Sequence, residues 1–226
     1  MSQARRFLTA EWRYLIMLNY HIDPAVLRPF IPQGTELDSW QDQTFISIVG
    51  FMFRNTRLLG LPIPGHINFE ELNLRFYVRR KGPEGWRRGV VFIKELVPRW
   101  AIATMARLIY NENYVSLPMR HEIKRGAGET AVAYQWRWQN TWHSVQIRAH
   151  GQPQPLQPGS QEAFITEHYW GYARQRDGGT VEYQVEHPPW NALYGPDFAQ
   201  ALQAAPASAF LAEGSAVTVR RGIRIQ

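Results

Sequence analysis

The segment FEELNLRFYVR, residues 69–79, constrains the fold more than any other part of the chain. Leu72, Leu74, Phe76 and Val78 fall on one side of it, and Glu71, Asn73, Arg75 and Tyr77 on the other. A period of two is the signature of a β-strand. The apolar face must be covered by another layer. The polar face either meets solvent or lines an enclosed polar lumen, because buried ionisable groups need partners. If it lines a lumen, Glu71, Asn73 and Arg75 form a cluster able to hold a carboxylate, with Glu71 and Arg75 pairing in the empty state.

The rest of the chain supplies strands to go with it. Trp12–Ile22 alternates imperfectly, Phe45–Phe53 is a buried strand, and Gly89–Val97 follows the turn Gly82-Pro83-Glu84-Gly85. A hairpin joins Ala131–Trp138 to Trp142–His150 around Gln139-Asn140-Thr141. Val181–Val185 is a short strand, and Ala216–Ile225 gives closing strands. Asp23 caps and Pro24 opens a short helix over Ala25–Phe30. Helical spacing is also expected at Ala101–Tyr110, from Ser160 through Trp170, and at Phe198–Ala204, while Thr56–His66 reads as a loop. Strands outnumber helices and βαβ spacing is mostly absent. The fold class is therefore α+β: one domain over residues 1–226, with a mainly antiparallel, closed or partly closed β-barrel and helices at the rim.

Composition closes off several functions. There is no Cys, which excludes disulfides, thiol catalysis and thiolate zinc sites. Glu11 and Arg13 interrupt the apolar stretch that a secretory signal needs, and no run reaches the 18 residues of a membrane span. A cytoplasmic location and no membrane partner are expected. The net charge of +6 comes mainly from scattered Arg, adjacent only in pairs such as Arg79–Arg80, Arg87–Arg88 and Arg220–Arg221. No nucleic-acid partner is expected from so dispersed a pattern. Nine Trp, ten Tyr and eleven Phe instead imply a heavily packed core, a flat-walled ligand cavity, or both.

The stretch LNYHIDPAVLRPFIPQGTELD, residues 18–38, resembles the opening of acetoacetate decarboxylase. FEELNLRFYV resembles that family's Glu-bearing central strand, and ARLIYNENYVSLPMRHEI its helix and lysine-bearing segment. GVVFIKELVPR, PMRHE, FITEHYWGY, VEHPPW and LAEGS are similar to an uncharacterised bacterial branch of the superfamily, the YqjF-like domain-of-unknown-function proteins. The resemblance implies a decarboxylase-like fold but not its chemistry. Where the decarboxylase has two lysines after a Pro, the first forming a Schiff base, Pro118 is followed here by Met119 and Arg120. Met has no amine, and Arg is too basic to supply a neutral nucleophile. His21 stands where the family carries an arginine. The segment between Trp190 and Tyr194 is short against what the resemblance implies, which leaves open whether a strand, or part of the barrel wall, is missing there.

Several residues admit two uses. Lys94 is a relocated amine nucleophile or a solvent-facing side chain; it and Glu95 must point to opposite faces. The pairs Glu167-His168 and Glu186-His187 supply acid–base groups or anchor loops; they lack metal-ligand spacing. Tyr134, Trp136 and Trp138 form a stacking wall or simply core.

The function expected from the sequence is binding of a small organic acid in a barrel cavity through Glu71, Asn73, Arg75, His21, Met119 and Arg120. The alternative is an acid–base enzyme of lyase or hydrolase type, without a Schiff base, drawing on Glu71, His168 and His187. No metal and no cofactor are expected; the partner is a small molecule, and a homo-oligomer is left open.

Overall fold

The computed structural model describes residues 4–98, 113–199 and 205–225. Strand β1 runs over Arg6–His21. Asp23 then accepts a hydrogen bond from the Ala25 amide, and Pro24 opens the one-turn helix α1, Pro24–Leu27, which passes into a 3-10 turn over Arg28–Phe30. After β2 (Glu36–Leu37), strand β3 covers Phe45–Leu58 and turns through Leu59 and Gly60 into β4 (Leu61–Pro62). Both turn residues have positive φ, 49° and 88°, which matches the twist of a tight hairpin. The expected loop over Thr56–His66 is thus shortened at its start by strand. Next come β5 (Phe69–Gly82), β6 (Gly85–Val97) and β7 (Tyr114–Ser116). The helix expected over residues 101–110 lies outside the described residues.

Strands β8 (Met119–Gly126), β9 (Glu129–Trp138) and β10 (Thr141–Pro155) form a meander. Ser160 caps α2, Gln161–Thr166, by accepting from the Ala163 amide. This helix ends four residues short of the expected Trp170. Glu167 leaves helical geometry there, and Trp170–Arg174 becomes strand β11. Two glycines draw β11 into the sheet instead. A Cβ on Gly171 would sit 2.1 Å from the Tyr183 ring, and one on Gly89 would sit 2.7 Å from the Trp170 carbonyl oxygen. The remaining strands are β12 (Thr180–Glu186), β13 (Asn191–Ala199), β14 (Ser208–Arg220) and β15 (Ile223–Ile225). Phe198 and Ala199 pair with β10 as strand rather than helix, and residues 200–204 lie outside the described part. After Trp190 the chain passes directly into β13, which pairs with β14 and β10.

Seven strands close a ring in the order β1-β3-β5-β6-β11-β12-β14, with β14 returning to β1. All neighbours are antiparallel except β6 and β11. A second limb, β13-β10-β9-β8, leaves β14 and folds across the outside of β1, β3 and β5. Tyr134 is fully buried between these layers and donates its hydroxyl to the Tyr14 carbonyl at 2.9 Å. Gly50 makes room for it, as a Cβ there would lie 2.7 Å from the ring. Burying such an aromatic side chain contributes about 1.5–3 kcal/mol. Leu72 is therefore covered by sheet, whereas Phe76 and Val78 pack against Leu27 of α1. At one end of the ring, Phe164 and Ile165 of α2 enter the interior core beside Phe45 and Tyr77.

Bulges in β1, β3 and β6 set which side chains face the lumen. In β3, Asn55 takes φ 53° and the register against β1 slips between Arg54 and Arg57, so Thr56 follows Phe53 on the inner face. In β1, Trp12 points inward, Tyr14 takes φ 57°, and the register against β3 slips by one residue, so Leu15 and Met17 point inward next. This explains the imperfect alternation of Trp12–Ile22. In β6, Ile93 is extra relative to β5: Phe92 faces Arg75 and Lys94 faces Leu74. The bulge turns Lys94 outward, where its ammonium donates to Asn113 at 3.3 Å, and turns Glu95 inward.

Candidate functional site

The ring encloses a cavity of about 130 Å³. Pairing registers order its wall along β5. Phe53 lies across from Phe69, Phe51 from Glu71, Val49 from Asn73, and Ser47 from Arg75. One end is aromatic, with Trp12, Phe51, Phe53, Phe69 and Trp190, and the polar side chains lie toward α2.

Glu71, Asn73 and Arg75 all line the cavity and are all buried. The expected Glu71–Arg75 pair does not form. Glu71 accepts from Tyr114 hydroxyl at 3.1 Å and from Asn73 Nδ2 at 3.3 Å. Arg75 donates through Nη2 to the Ile165 carbonyl at 3.2 Å and has a weak contact with Met17 sulfur. Its Nε has no partner, and the guanidinium has no ion-paired carboxylate among the described residues. Glu71 lies four residues from Arg75 along an extended strand, about 13 Å in backbone rise, and is held by nearer donors.

His168 follows α2 and is buried between the Tyr77 and Phe164 rings. Its Nε2 lies 3.1 Å from Asp38 Oδ2, which also accepts from Arg88 Nε at 2.7 Å. Burial pushes the imidazole down to about 4; the bond to Asp38 opposes this, and the positive Arg88 and Arg75 reinforce it. Burial by itself raises the Asp38 carboxyl, but bonds from His168 and Arg88 hold it below its usual range. His168 is therefore neutral at pH 7. It donates Nε2–H to the carboxylate and leaves Nδ1 as a lone pair with no partner. His187 also lines the cavity, stacks on Trp190 at 4.2 Å, and donates Nδ1–H to the Pro188 carbonyl. Burial takes it to about 4 as well.

A pH dependence follows. An unfolded histidine protonates near pH 6.5, whereas folded His168 does so only near 4. Between these values the unfolded chain binds more protons, so stability falls as pH drops from 6.5 toward 4. The expected loss from His168 is about 2–3 kcal/mol by pH 4.5. Urea titrations at pH 7 and 4.5 check it, and His168→Gln should remove much of the difference; an equal drop in that variant assigns the effect elsewhere.

Other residues singled out in the sequence stand away from the cavity. His21 is exposed at the end of β1, its ring 4.7 Å from Phe45. Met119 packs on the core between ring and outer limb, and Arg120 bonds Gln135 and lies over the Trp142 ring. The β8 strand that carries them belongs to the outer limb, so neither reaches the lumen. None of the three lysines, Lys81, Lys94 and Lys124, lines the cavity. In the aromatic stripe, Tyr134 is core, Trp136 stacks on His143, and Trp138 is half exposed. Five of the six arginines in those pairs are engaged by acids: Arg79 with Glu36, Arg80 and Arg87 with Glu182, Arg88 with Asp38 and Arg220 with Glu186. Among the described residues no group of three His, Asp or Glu is placed to hold a metal, and no helix is long and apolar enough to cross a membrane.

The sequence did not single out Asp38, Tyr114, Thr166 or Trp12 as site residues. Asp38 alone carried a signal, as the last residue of the TELD motif. Trp12 reaches the lumen just before the β1 bulge, Tyr114 through the pairing of β7 with β6, and Thr166 from the end of α2, and no local pattern records any of these.

The closed ring of strands around a cavity that no lysine lines has an acetoacetate decarboxylase-like fold. Two solved structures share that fold. The enduracididine biosynthesis enzyme MppR with HEPES bound superposes with a TM-score of 0.70 at 12% identity, covering 100% of this chain and 89% of that one; it has also been solved with pyruvate. Acetoacetate decarboxylase from Legionella pneumophila gives 0.66 at 12% identity, covering 100% and 90%. The chain itself belongs to DUF2071, a family of uncharacterized conserved proteins, whose model matches residues 9–213. The uncharacterized protein YqjF of Bacillus subtilis is 29% identical over 181 residues, 79% of this chain and 72% of that protein.

Proposed function

We propose that the protein binds a small organic acid inside the ring, with Arg75 as the anchor for its carboxylate. The observation that carries this is the buried Arg75 guanidinium, whose Nε has no partner and which has no ion-paired carboxylate among the described residues, in a cavity with mostly apolar walls. A buried charge without a counter-charge is costly, and a carboxylate ligand offers the bidentate partner that the planar fork suits. Asn73, with a free carbonyl oxygen, and Glu71 supply polar contacts beside it. That MppR has been solved with pyruvate supports a small acid as a fitting occupant of such a ring. The test is the melting temperature of wild type and Arg75→Met with and without small carboxylates.

A second reading, an acid–base enzyme acting on the same acid, is favoured by the His168 Nδ1 lone pair, held in one tautomer by Asp38. In such a step Nδ1 takes a proton from the carbon next to a keto group, the electron pair of the C–H bond forms the C=C bond of an enolate, and the π pair of the C=O bond moves onto its oxygen. A base near 4 has little driving force at neutral pH, which ranks this reading second. Pyruvate in D2O reads it directly. The methyl proton signal should decay faster with wild type than with His168→Gln; equal rates sink the enzyme reading and leave binding intact.

A further inference from the structure

We infer that the acid taken by this cavity is a one-ring aromatic carboxylate carrying an oxygen on its ring. The inference rests on Arg75 as the carboxylate anchor and adds what occupies the other end. Two lumen-facing rows, Val49 with Asn73 and Phe51 with Glu71, lie between Ser47 and Arg75 at one end and Phe53 and Phe69 at the other, so the lumen is elongated, with Arg75 at one end and aromatic rings at the other. The volume, about 130 Å³, is close to that of an apolar protein cavity that accepts one benzene. A ligand of about one ring is therefore the scale that this part of the lumen suits.

The aromatic end presents both faces and edges. Trp12 meets Phe51 at 5.2 Å and 58° and Phe53 at 5.8 Å and 77°, while Phe53 stacks on Phe69 at 4.6 Å. Trp190 stands edge-on to Trp12 at 6.3 Å. A ring placed among them finds offset and edge-to-face partners, which a saturated ring of equal size does not. Two buried polar groups among the cavity-lining residues of this end have no hydrogen-bond partner: Trp12 Nε1–H and Thr56 hydroxyl. Buried donors are normally satisfied. An oxygen on the far side of the ligand ring would accept from them, and an unsubstituted ring leaves them orphaned.

The test is calorimetric titration of wild-type protein with 4-hydroxyphenylacetate, phenylacetate, cyclohexylacetate, acetate and tyramine. Tyramine keeps the hydroxylated ring and replaces the acid with an amine. The expected affinity falls in the order 4-hydroxyphenylacetate, phenylacetate, cyclohexylacetate. The hydroxyl should be worth roughly 5-fold or more and the aromatic character roughly 2–10-fold. Tyramine should bind at least roughly 10-fold more weakly than the corresponding acid. Equal binding of 4-hydroxyphenylacetate with either phenylacetate or cyclohexylacetate overturns the inference while leaving the carboxylate site standing. Acetate matching the aromatic acids does the same. Tyramine binding as tightly as 4-hydroxyphenylacetate, or no acid binding at all, removes the Arg75 anchor and this inference with it.

Discussion

Arg75→Met is expected to abolish stabilisation by small carboxylates without unfolding the ring. A ligand present at a hundred times its dissociation constant stabilises the native state by about 2.7 kcal/mol. For a chain of 226 residues that corresponds to a rise of roughly 5–10 °C in melting temperature. In the variant the guanidinium is gone, and the rise should vanish. The stability of the empty protein is the more discriminating number. Had Arg75 been paired with Glu71, removing it would strand a buried carboxylate at a cost of about 3–5 kcal/mol. Glu71 instead keeps Tyr114 and Asn73 as donors, and Arg75 gives up one bond to the Ile165 carbonyl. Met has similar length and no charge to desolvate. The empty variant should therefore lose no more than about 1 kcal/mol, and can gain. A large loss would mean that Arg75 holds the ring together, and retained stabilisation by carboxylates would refute it as the anchor.

Gly214→Ala is expected to have the largest effect on folding. Gly214 sits in β14 opposite Arg13 with φ 76°. A Cβ at this position would lie 2.0 Å from the Trp12 carbonyl oxygen and 2.6 Å from Leu15 Cδ1. The positive φ alone costs a non-glycine residue about 1–3 kcal/mol. The overlap with backbone adds to it, because the carbonyl is tied into the β1–β14 ladder and has nowhere to retreat. A total of at least about 3 kcal/mol is expected, seen as a lower urea midpoint with an unaltered slope. Trp12 belongs to the aromatic end of the cavity, so this variant should also lose affinity for ring-bearing acids. Stability within about 1 kcal/mol of wild type would show that the two strands can slide apart at this point, against the bulged geometry described for them.

Much of the ring was legible locally. Alternation in residues 69–79 specified a strand with an apolar and a polar face; the Asp23-Pro24 pair specified α1, and Gln139-Asn140 the turn between β9 and β10, both with positive φ. These features depend on neighbours within a few residues, where the rules of capping, turns and period hold. The expected helix through Trp170 failed because the competing interaction was distant: Gly171 and Gly89 let β11 approach β6 and β12 closely enough to pair. Met119 and Arg120 failed as lumen residues for a similar reason. Nothing local says that β8 pairs with β9 on the outer limb and packs outside the ring.

The sequence by itself determined that the chain is built of strands, that β5 carries Glu71, Asn73 and Arg75 on one face, and that Lys81, Lys94 and Lys124 are its only lysines. It did so because side-chain chemistry and a period of two need no tertiary context. Only the tertiary structure decided that the polar face of β5 looks into a lumen, that Arg75 has no carboxylate partner among the described residues, and that Glu95 rather than Lys94 turns inward. One extra residue in a strand exchanges its two faces, and whether a ladder accommodates it depends on the strand paired alongside. At Ile93 that single residue places an acid in the cavity wall and sends the lysine beside it outward.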